Sequence, residues 1–236
     1  MDHLPLVASI LFGLLSFKPQ FFALILIALI FGRYWKVLIG TIITAIALSL
    51  ISILVFGLGV WIAFVNVLPI PMRLLEMGGS AWRIMPTFFA AILSAGYGVR
   101  EAYLVQGMMM LIVLGGVAWV WMRKANLALR GAVLILGLLL FTPYGFIYDL
   151  ALLALPLAWL WEDGRVRGRL PGELILLLCG WVMPLAMPFI WNGVDIFQGK
   201  LQIGPVVLLA VFLLTLTKAG MQNWTGGKIL PQSEKA

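Results

Sequence analysis

Long apolar runs alternate with short polar steps along most of this chain. Residues 37–58 and 102–121 are apolar runs of the length that a membrane-spanning helix needs, roughly 20 residues at about 1.5 Å each. Residues 173–190 predict a third span, and residues 205–217 predict a last, short span before a polar tail. The pattern predicts an all-α fold, a polytopic transmembrane helical bundle.

Two shorter apolar runs, 4–16 and 21–31, flank the step Phe17-Lys18-Pro19-Gln20. Proline removes an amide donor and disfavours helix in the residue before it, so we expect Lys18 at the apex of a broken helical hairpin. Arms of about a dozen residues cover only about 18 Å of a membrane core about 30 Å thick, so the apex should be submerged. A lone ammonium at that depth makes Lys18 a candidate functional residue.

A second hairpin repeats this geometry, with arms 127–141 and 150–161 around a polar apex at 142–149. Both arms are shorter than a span, so this apex should also lie below the same surface. Asp149 and Lys18 then have two alternatives, which the sequence leaves open. They form an ion pair that neutralises both charges, or each meets a ligand, Lys18 a phosphate and Asp149 a hydroxyl or a base role.

The segment 59–101 is too apolar for a free loop and too rich in Pro, Gly and charge for a span. It predicts short helices on the outer membrane interface. Arg73 and Arg83 lie in this segment, and an arginine can bind phosphate through two parallel hydrogen bonds. Snorkelling of each side chain to the interface is the alternative. In the step from Arg83 to Thr87, Pro86 again stands beside a cation.

The basic residues test the predicted topology. If about eight membrane segments alternate in direction, eleven of the 16 Lys and Arg residues lie on one side of the membrane. The other side has five, namely Lys18, Arg73, Arg83, Arg100 and Lys200. The positive-inside rule makes the richer side cytoplasmic. We therefore expect a multi-pass plasma membrane protein with one transmembrane domain over residues 1–220, a cytoplasmic tail over 221–236, and a site at the outer leaflet.

Composition excludes several classes of protein. With 63% hydrophobic residues and a mean hydropathy of +1.10, the 236 residues do not form a soluble domain. The net charge of +7 comes from short clusters at the ends of apolar runs, so nucleic acid is not an expected partner. A single cysteine, Cys179, and the absence of metal-ligand spacing, of a Gly-rich phosphate loop and of a nucleophile-base motif predict neither metal nor cofactor.

Several short motifs follow one another along most of the chain. They are Ser16-Phe17-Lys18-Pro19-Gln20, Gly32-Arg33-Tyr34-Trp35, Phe56-Gly57, Arg83-Ile84-Met85-Pro86-Thr87-Phe88-Phe89, Thr142-Pro143 and Tyr148-Asp149. In their order and their common outer side, these motifs resemble glycosyltransferase family 87. The resemblance implies a GT-C superfamily membrane enzyme similar to polyprenyl-phosphate-mannose-dependent mannosyltransferases. Such an enzyme transfers a hexosyl group from a polyprenyl-phosphate donor to a lipid or glycan acceptor of the cell envelope, at the outer face.

The resemblance also implies roles for individual residues. Lys18, Arg73 and Arg83 are expected to bind the donor phosphate, whose charge grows as it leaves. Gln20, Tyr144, Tyr148 and Asp149 are expected to shape the sugar or acceptor pocket.

One departure from the family pattern concerns catalysis. Family members are much longer, and their catalytic Asp or Glu lies in a first outer loop that would precede Met1. We therefore expect the C-terminal part of an enzyme that lacks this acid, with a partner chain as one source of the missing part. The alternative is a non-catalytic membrane protein, either a carrier of lipid-linked intermediates or a structural subunit.

Overall fold

Helices make up all the regular structure in the part of the chain that the computed structural model describes, residues 4–77, 82, 85–192 and 202–225. This confirms the predicted all-α fold. The helices are α1 Pro5–Leu14, α2 Pro19–Phe31, α3 Trp35–Phe56, α4 Leu58–Val67, α5 Ile70–Glu76, α6 Phe88–Ser94, α7 Val99–Met122, α8 Leu127–Phe141, α9 Ala154–Arg167, α10 Glu173–Asn192 and α11 Gly204–Thr225, with 3₁₀ helices at Leu15–Phe17 and Ile147–Leu153.

Four helical stretches of the described residues are long and apolar enough to cross a membrane: Trp35–Phe56, Leu58–Glu76, Val99–Met122 and Gly204–Gln222. Shorter apolar helices lie among them, including both arms of the first hairpin and the first arm of the second. The structure therefore agrees with a helical membrane bundle in which some segments are too short to span.

The first hairpin is visible in how α1 and α2 pack. Ser9 of α1 donates a hydrogen bond to the carbonyl of Val37 at 3.3 Å, and Gly13, one turn later, lies against Thr44. The contacts move toward higher residue numbers on both helices, so α1 runs parallel to α3. The tight turn at Gly32 makes α2 antiparallel to α3. The helix α2 is therefore also antiparallel to α1, and the two are the arms of a hairpin. We call its apex side the Lys18 end of the bundle and the opposite side the Arg33 end.

The level at which the second apex begins follows from α7, which begins at the Lys18 end. Gln106 lies seven residues into this helix, and its amide donates to the carbonyl of Leu140 at the end of α8 at 3.0 Å. At 1.5 Å per residue, α8 therefore ends about 10 Å below the start of α7. The second apex therefore begins below the start of α7, and Lys18 of the first apex contacts Asp149 of the second.

The helices α4 and α5 connect two points at the Lys18 end. Gly57, with a φ of +81°, separates α3 from α4, and Glu76 at the end of α5 accepts a 2.5 Å hydrogen bond from Tyr103 near the start of α7. The stretch Leu58–Glu76 has the length and composition of a span, but both of its ends lie at the same end of the bundle. These end positions are compatible with helices on the membrane surface, which for residues 59–101 stays a prediction.

The last helix corrects one expectation. A short span that ends at residue 217 is wrong, because α11 continues to Thr225. The reason is that Lys218, expected to begin the polar tail, is buried between Asp163 of α9 and Glu173 of α10. The helix α9 likewise runs into the charged step after residue 161. The predicted tail 221–236 therefore starts inside a helix, and residues 226–236 lie outside the described residues.

Small residues allow α1 and α3 to approach closely. A Cβ on Gly13 would lie 2.4 Å from Thr44 Cβ, and one on Gly40 would lie 2.4 Å from Ser9 Oγ. Each helix thus presents two small residues four positions apart, a common arrangement in membrane helix pairs.

We expect Gly13→Ala to lower the free energy of unfolding in detergent by about 1–2 kcal/mol, because the added methyl group forces the helices apart. Gly115→Ala is the matched control, since a Cβ there meets nothing within 4 Å and alanine favours helix. Equal thermal unfolding temperatures for the two variants would contradict the predicted close contact.

Candidate functional site

The structure brings the two apices together through Lys18 and Asp149. The Lys18 Nζ donates a hydrogen bond to Asp149 Oδ1, and the two residues form an ion pair. The Lys18 side chain is 23% exposed and that of Asp149 is 8% exposed. The ion pair expected in one of the two alternatives is therefore present, and the Lys18 side chain is not fully enclosed.

Local backbone structure fixes both side chains. Lys18 precedes Pro19 and has non-helical backbone angles, and its carbonyl accepts from the amides of Phe21 and Phe22 at the start of α2. Asp149 lies in the first turn of the 3₁₀ helix Ile147–Leu153, where Oδ2 accepts from the Phe146 amide at 3.1 Å. Each oxygen of the carboxylate therefore has its own donor.

Aromatic rings surround the ammonium. The Lys18 Nζ lies 5.0 Å from the centroid of the Phe21 ring and 5.1 Å from that of Tyr148, within range of cation–π attraction. Tyr148 stacks on Phe146 with ring centroids 5.6 Å apart and is 65% exposed. The apex therefore presents a flat aromatic surface next to a cation, which suits a ring-shaped ligand that carries an anionic group.

A family model described as Glycosyltransferase family 87 matches residues 2–143, more than half of the chain. The chain belongs to glycosyltransferase family 87. No curated protein and no solved structure matches it. Together with the apolar helices, the family makes this a membrane protein of a glycosyltransferase family.

The family 87 match contains the first apex and ends inside the second. Lys18 and Gln20 lie within it, whereas Tyr144, Tyr148 and Asp149 follow its last residue. Gln20 is half-buried in the first turn of α2, and Tyr144 is half-buried in the second apex. Neither side chain forms a hydrogen bond to the Lys18–Asp149 pair, so of the predicted site residues that are described, the structure joins Lys18, Tyr148 and Asp149.

Of the two predicted arginines, only Arg73 lies among the described residues, and it forms no ion pair with Asp149. Arg73 is exposed on α5 and forms no ion pair with another described residue. Arg83 lies outside the described residues. The later part of its motif has a structural role, because Met85 and Thr87 are buried and the Thr87 hydroxyl accepts from the Ala90 amide at 3.1 Å to cap α6.

Sequence reasoning missed the importance of Gln106 for this site. Its side chain is 2% exposed, accepts from the Phe89 amide at 3.2 Å and donates to the Leu140 carbonyl at 3.0 Å. It thereby joins α6 and the end of α8 to α7, next to the second apex. An uncharged polar residue inside the apolar run 102–121 was the available clue, because a buried amide in lipid needs partners.

We expect Gln106→Leu to lower the free energy of unfolding by about 1–3 kcal/mol, because the Phe89 amide and the Leu140 carbonyl lose their partner inside the protein. Met108→Leu, an exposed position on the same helix, is the control and should change little. Thermal unfolding in detergent measures both, and an unchanged Gln106→Leu protein would show that the amide does not hold the apex.

Proposed function

We propose that this chain transfers a sugar from a polyprenyl-phosphate donor to a lipid or glycan acceptor, with the donor phosphate bound at Lys18. The observation that carries the proposal is the meeting of two broken hairpins at a partly exposed lysine in a chain of glycosyltransferase family 87. Mannose is the proposed sugar, by the resemblance to polyprenyl-phosphate-mannose-dependent enzymes of the GT-C superfamily.

The chemistry of Lys18 fits a phosphate that leaves during transfer. An ammonium is a compact point charge, and in a site with little water its attraction for an anion is much stronger than in bulk solvent. Negative charge grows on the phosphate as the bond to the sugar breaks, so a fixed cation stabilises the transition state more than the bound donor. A donor phosphate would share the ammonium with Asp149 or replace it.

The level of the second apex favours a lipid-linked donor over a soluble one. The helix α8 ends, and this apex begins, about 10 Å below the start of α7, which is near the depth of lipid headgroups rather than in bulk water, and Asp149 of this apex contacts Lys18. A phosphate on a long apolar chain already lies at that level. A nucleotide sugar would have to enter from water.

Other apex residues have proposed roles around the sugar. The exposed face of Tyr148 offers a stacking surface, and Gln20, Tyr144 and Asp149 supply polar groups on the same two apices. Arg73 and Arg83 remain candidates for a second contact with the phosphate. The distribution of basic residues supports an outer-face site in the plasma membrane with a cytoplasmic C-terminus.

The donor is tested in membranes of a strain that expresses the protein from its own locus, so that any preceding segment or partner is present, with membranes of a deletion strain as the control. Labelled polyprenyl-phosphate mannose should yield a labelled glycan, whereas nucleotide-linked mannose, with synthesis of the lipid donor blocked, should not. Equal product from the nucleotide sugar would refute the lipid donor. Movement of labelled lipid across the bilayer without a new glycan would favour the carrier alternative.

A second test concerns the catalytic acid that is predicted to lie upstream. The DNA that precedes the Met1 codon in frame should encode an outer loop with this Asp or Glu.

A further inference from the structure

A cavity lies at the opposite end of the bundle from Lys18. It has a volume of about 450 Å³ and is formed between the α2–α3 turn and the end of α7. Arg33 and Lys124 line it, together with the apolar side chains of Phe31, Trp35 and Met122. Nothing in the proposed sugar transfer uses this end of the molecule.

The backbone of both cations is unusual. Arg33 has a φ of 58° and Lys124 a φ of 51°, and these are the two residues other than glycine with positive φ in the described chain. This left-handed conformation after a helix end normally selects glycine, because a Cβ there costs about 1–2 kcal/mol. Two strained positions carry cations that line one cavity, which points to a function for the charges.

Neither cation is neutralised within the described structure. Arg33 and Lys124 form no ion pair with a described residue, and no Asp or Glu lines the cavity. Most other basic groups at this end are engaged. Arg165 and Arg167 pair with carboxylates, Arg130 binds the Tyr34 hydroxyl, and Arg123 stacks on Trp119.

The other residues that line the cavity include apolar side chains suited to contact with lipid. Phe31, Trp35 and Met122 are exposed apolar residues at the ends of membrane helices, where tryptophan typically occupies the headgroup level. Two cations above such a surface match a phosphodiester with acyl chains below it. A soluble phosphate would use the cations and leave the apolar walls uncovered.

We propose that this cavity binds the headgroup of an anionic phospholipid. Arg33 contributes a planar guanidinium that can hold two phosphate oxygens, and Lys124 contributes a second positive charge. The cavity would tie the α2–α3 turn and the end of α7 to one lipid molecule.

The test counts phospholipids that stay bound to the full chain by native mass spectrometry after purification in neutral detergent with phosphatidylglycerol or phosphatidylcholine. One phosphatidylglycerol should remain, and Arg33→Gly with Lys124→Gly should reduce its affinity about thirtyfold. Glycine suits both positions, so this variant should unfold at no lower a temperature than the wild type without added lipid. Arg123→Gln with Arg165→Gln removes the same charge at the same end and should retain the lipid.

Three results would overturn the proposal. Equal retention of phosphatidylglycerol by the glycine variant and the charge-matched control would show that Arg33 and Lys124 do not bind it. Equal retention of phosphatidylcholine by the wild type would show that headgroup charge is not recognised. If inorganic phosphate alone raises the unfolding temperature as much as phosphatidylglycerol does, the cavity takes a soluble anion and the lipid assignment is wrong.

Discussion

Lys18→Gln is expected to reduce sugar transfer by about 10²–10³-fold, the effect of removing one preorganised charge-stabilising group from an active site. Glutamine keeps a polar side chain of similar length but cannot neutralise a leaving phosphate. The measurement is the initial rate of labelled glycan formation in the membrane assay above, with equal amounts of each variant in the membrane.

The single variant also leaves Asp149 buried without its cation, which is strongly destabilising in itself, by about 3–5 kcal/mol. A double variant, Lys18→Gln with Asp149→Asn, separates the two effects. It removes both charges together and should recover most of the lost thermal stability, while transfer stays low. Lys36→Gln removes a cation at the Arg33 end and should retain transfer. A double variant that transfers sugar at the wild-type rate would refute the phosphate role of Lys18.

Lys218→Met is expected to lower the free energy of unfolding by about 3–5 kcal/mol. The Lys218 Nζ lies 3.0 Å from Asp163 Oδ2 and 2.9 Å from Glu173 Oε1, and all three side chains are at most 5% exposed. Methionine fills the space but leaves two buried carboxylates with one cation, Arg167, which contacts only Asp163. Thermal unfolding in detergent measures the loss.

A matched control is available on α9. The exposed pair of Arg165 with Glu162 has a 3.4 Å separation, so Arg165→Gln should change stability by less than about 1 kcal/mol. Adding Asp163→Asn and Glu173→Gln to Lys218→Met removes the uncompensated charges and should restore part of the stability. If Lys218→Met is no less stable than Arg165→Gln, the three side chains do not hold α9, α10 and α11 together.

Much of the fold could be predicted because lipid permits few structures. Backbone groups in a membrane must bond within their own segment, so apolar runs become helices and proline or charge marks their ends. The apex at Lys18 followed from Pro19 and from arms too short to span. Counting crossings predicted that both apices face the same side, and the contact of Lys18 with Asp149 agrees with this.

Packing between distant residues could not be predicted in the same way. A charge near the end of an apolar run has the same sequence pattern whether it faces water or a buried partner, so Lys218 looked like the start of a tail. Choosing between an ion pair and separate roles for Lys18 and Asp149 required their distance. The left-handed backbone of Arg33 and Lys124 left no trace in composition, because both lie in ordinary basic turns.

The separation of Lys18 from Asp149 along the chain has a consequence for biogenesis. The two residues are 131 positions apart, so the ribosome completes the first hairpin on the order of ten seconds before Asp149 is made. During that interval a lysine must enter the bilayer without its counter-ion, at a cost of about 2.5–3.5 kcal/mol on insertion scales. We therefore expect the first hairpin to insert incompletely at the translocon when synthesis stops before Asp149, and to become resistant to proteases only once the second hairpin has emerged.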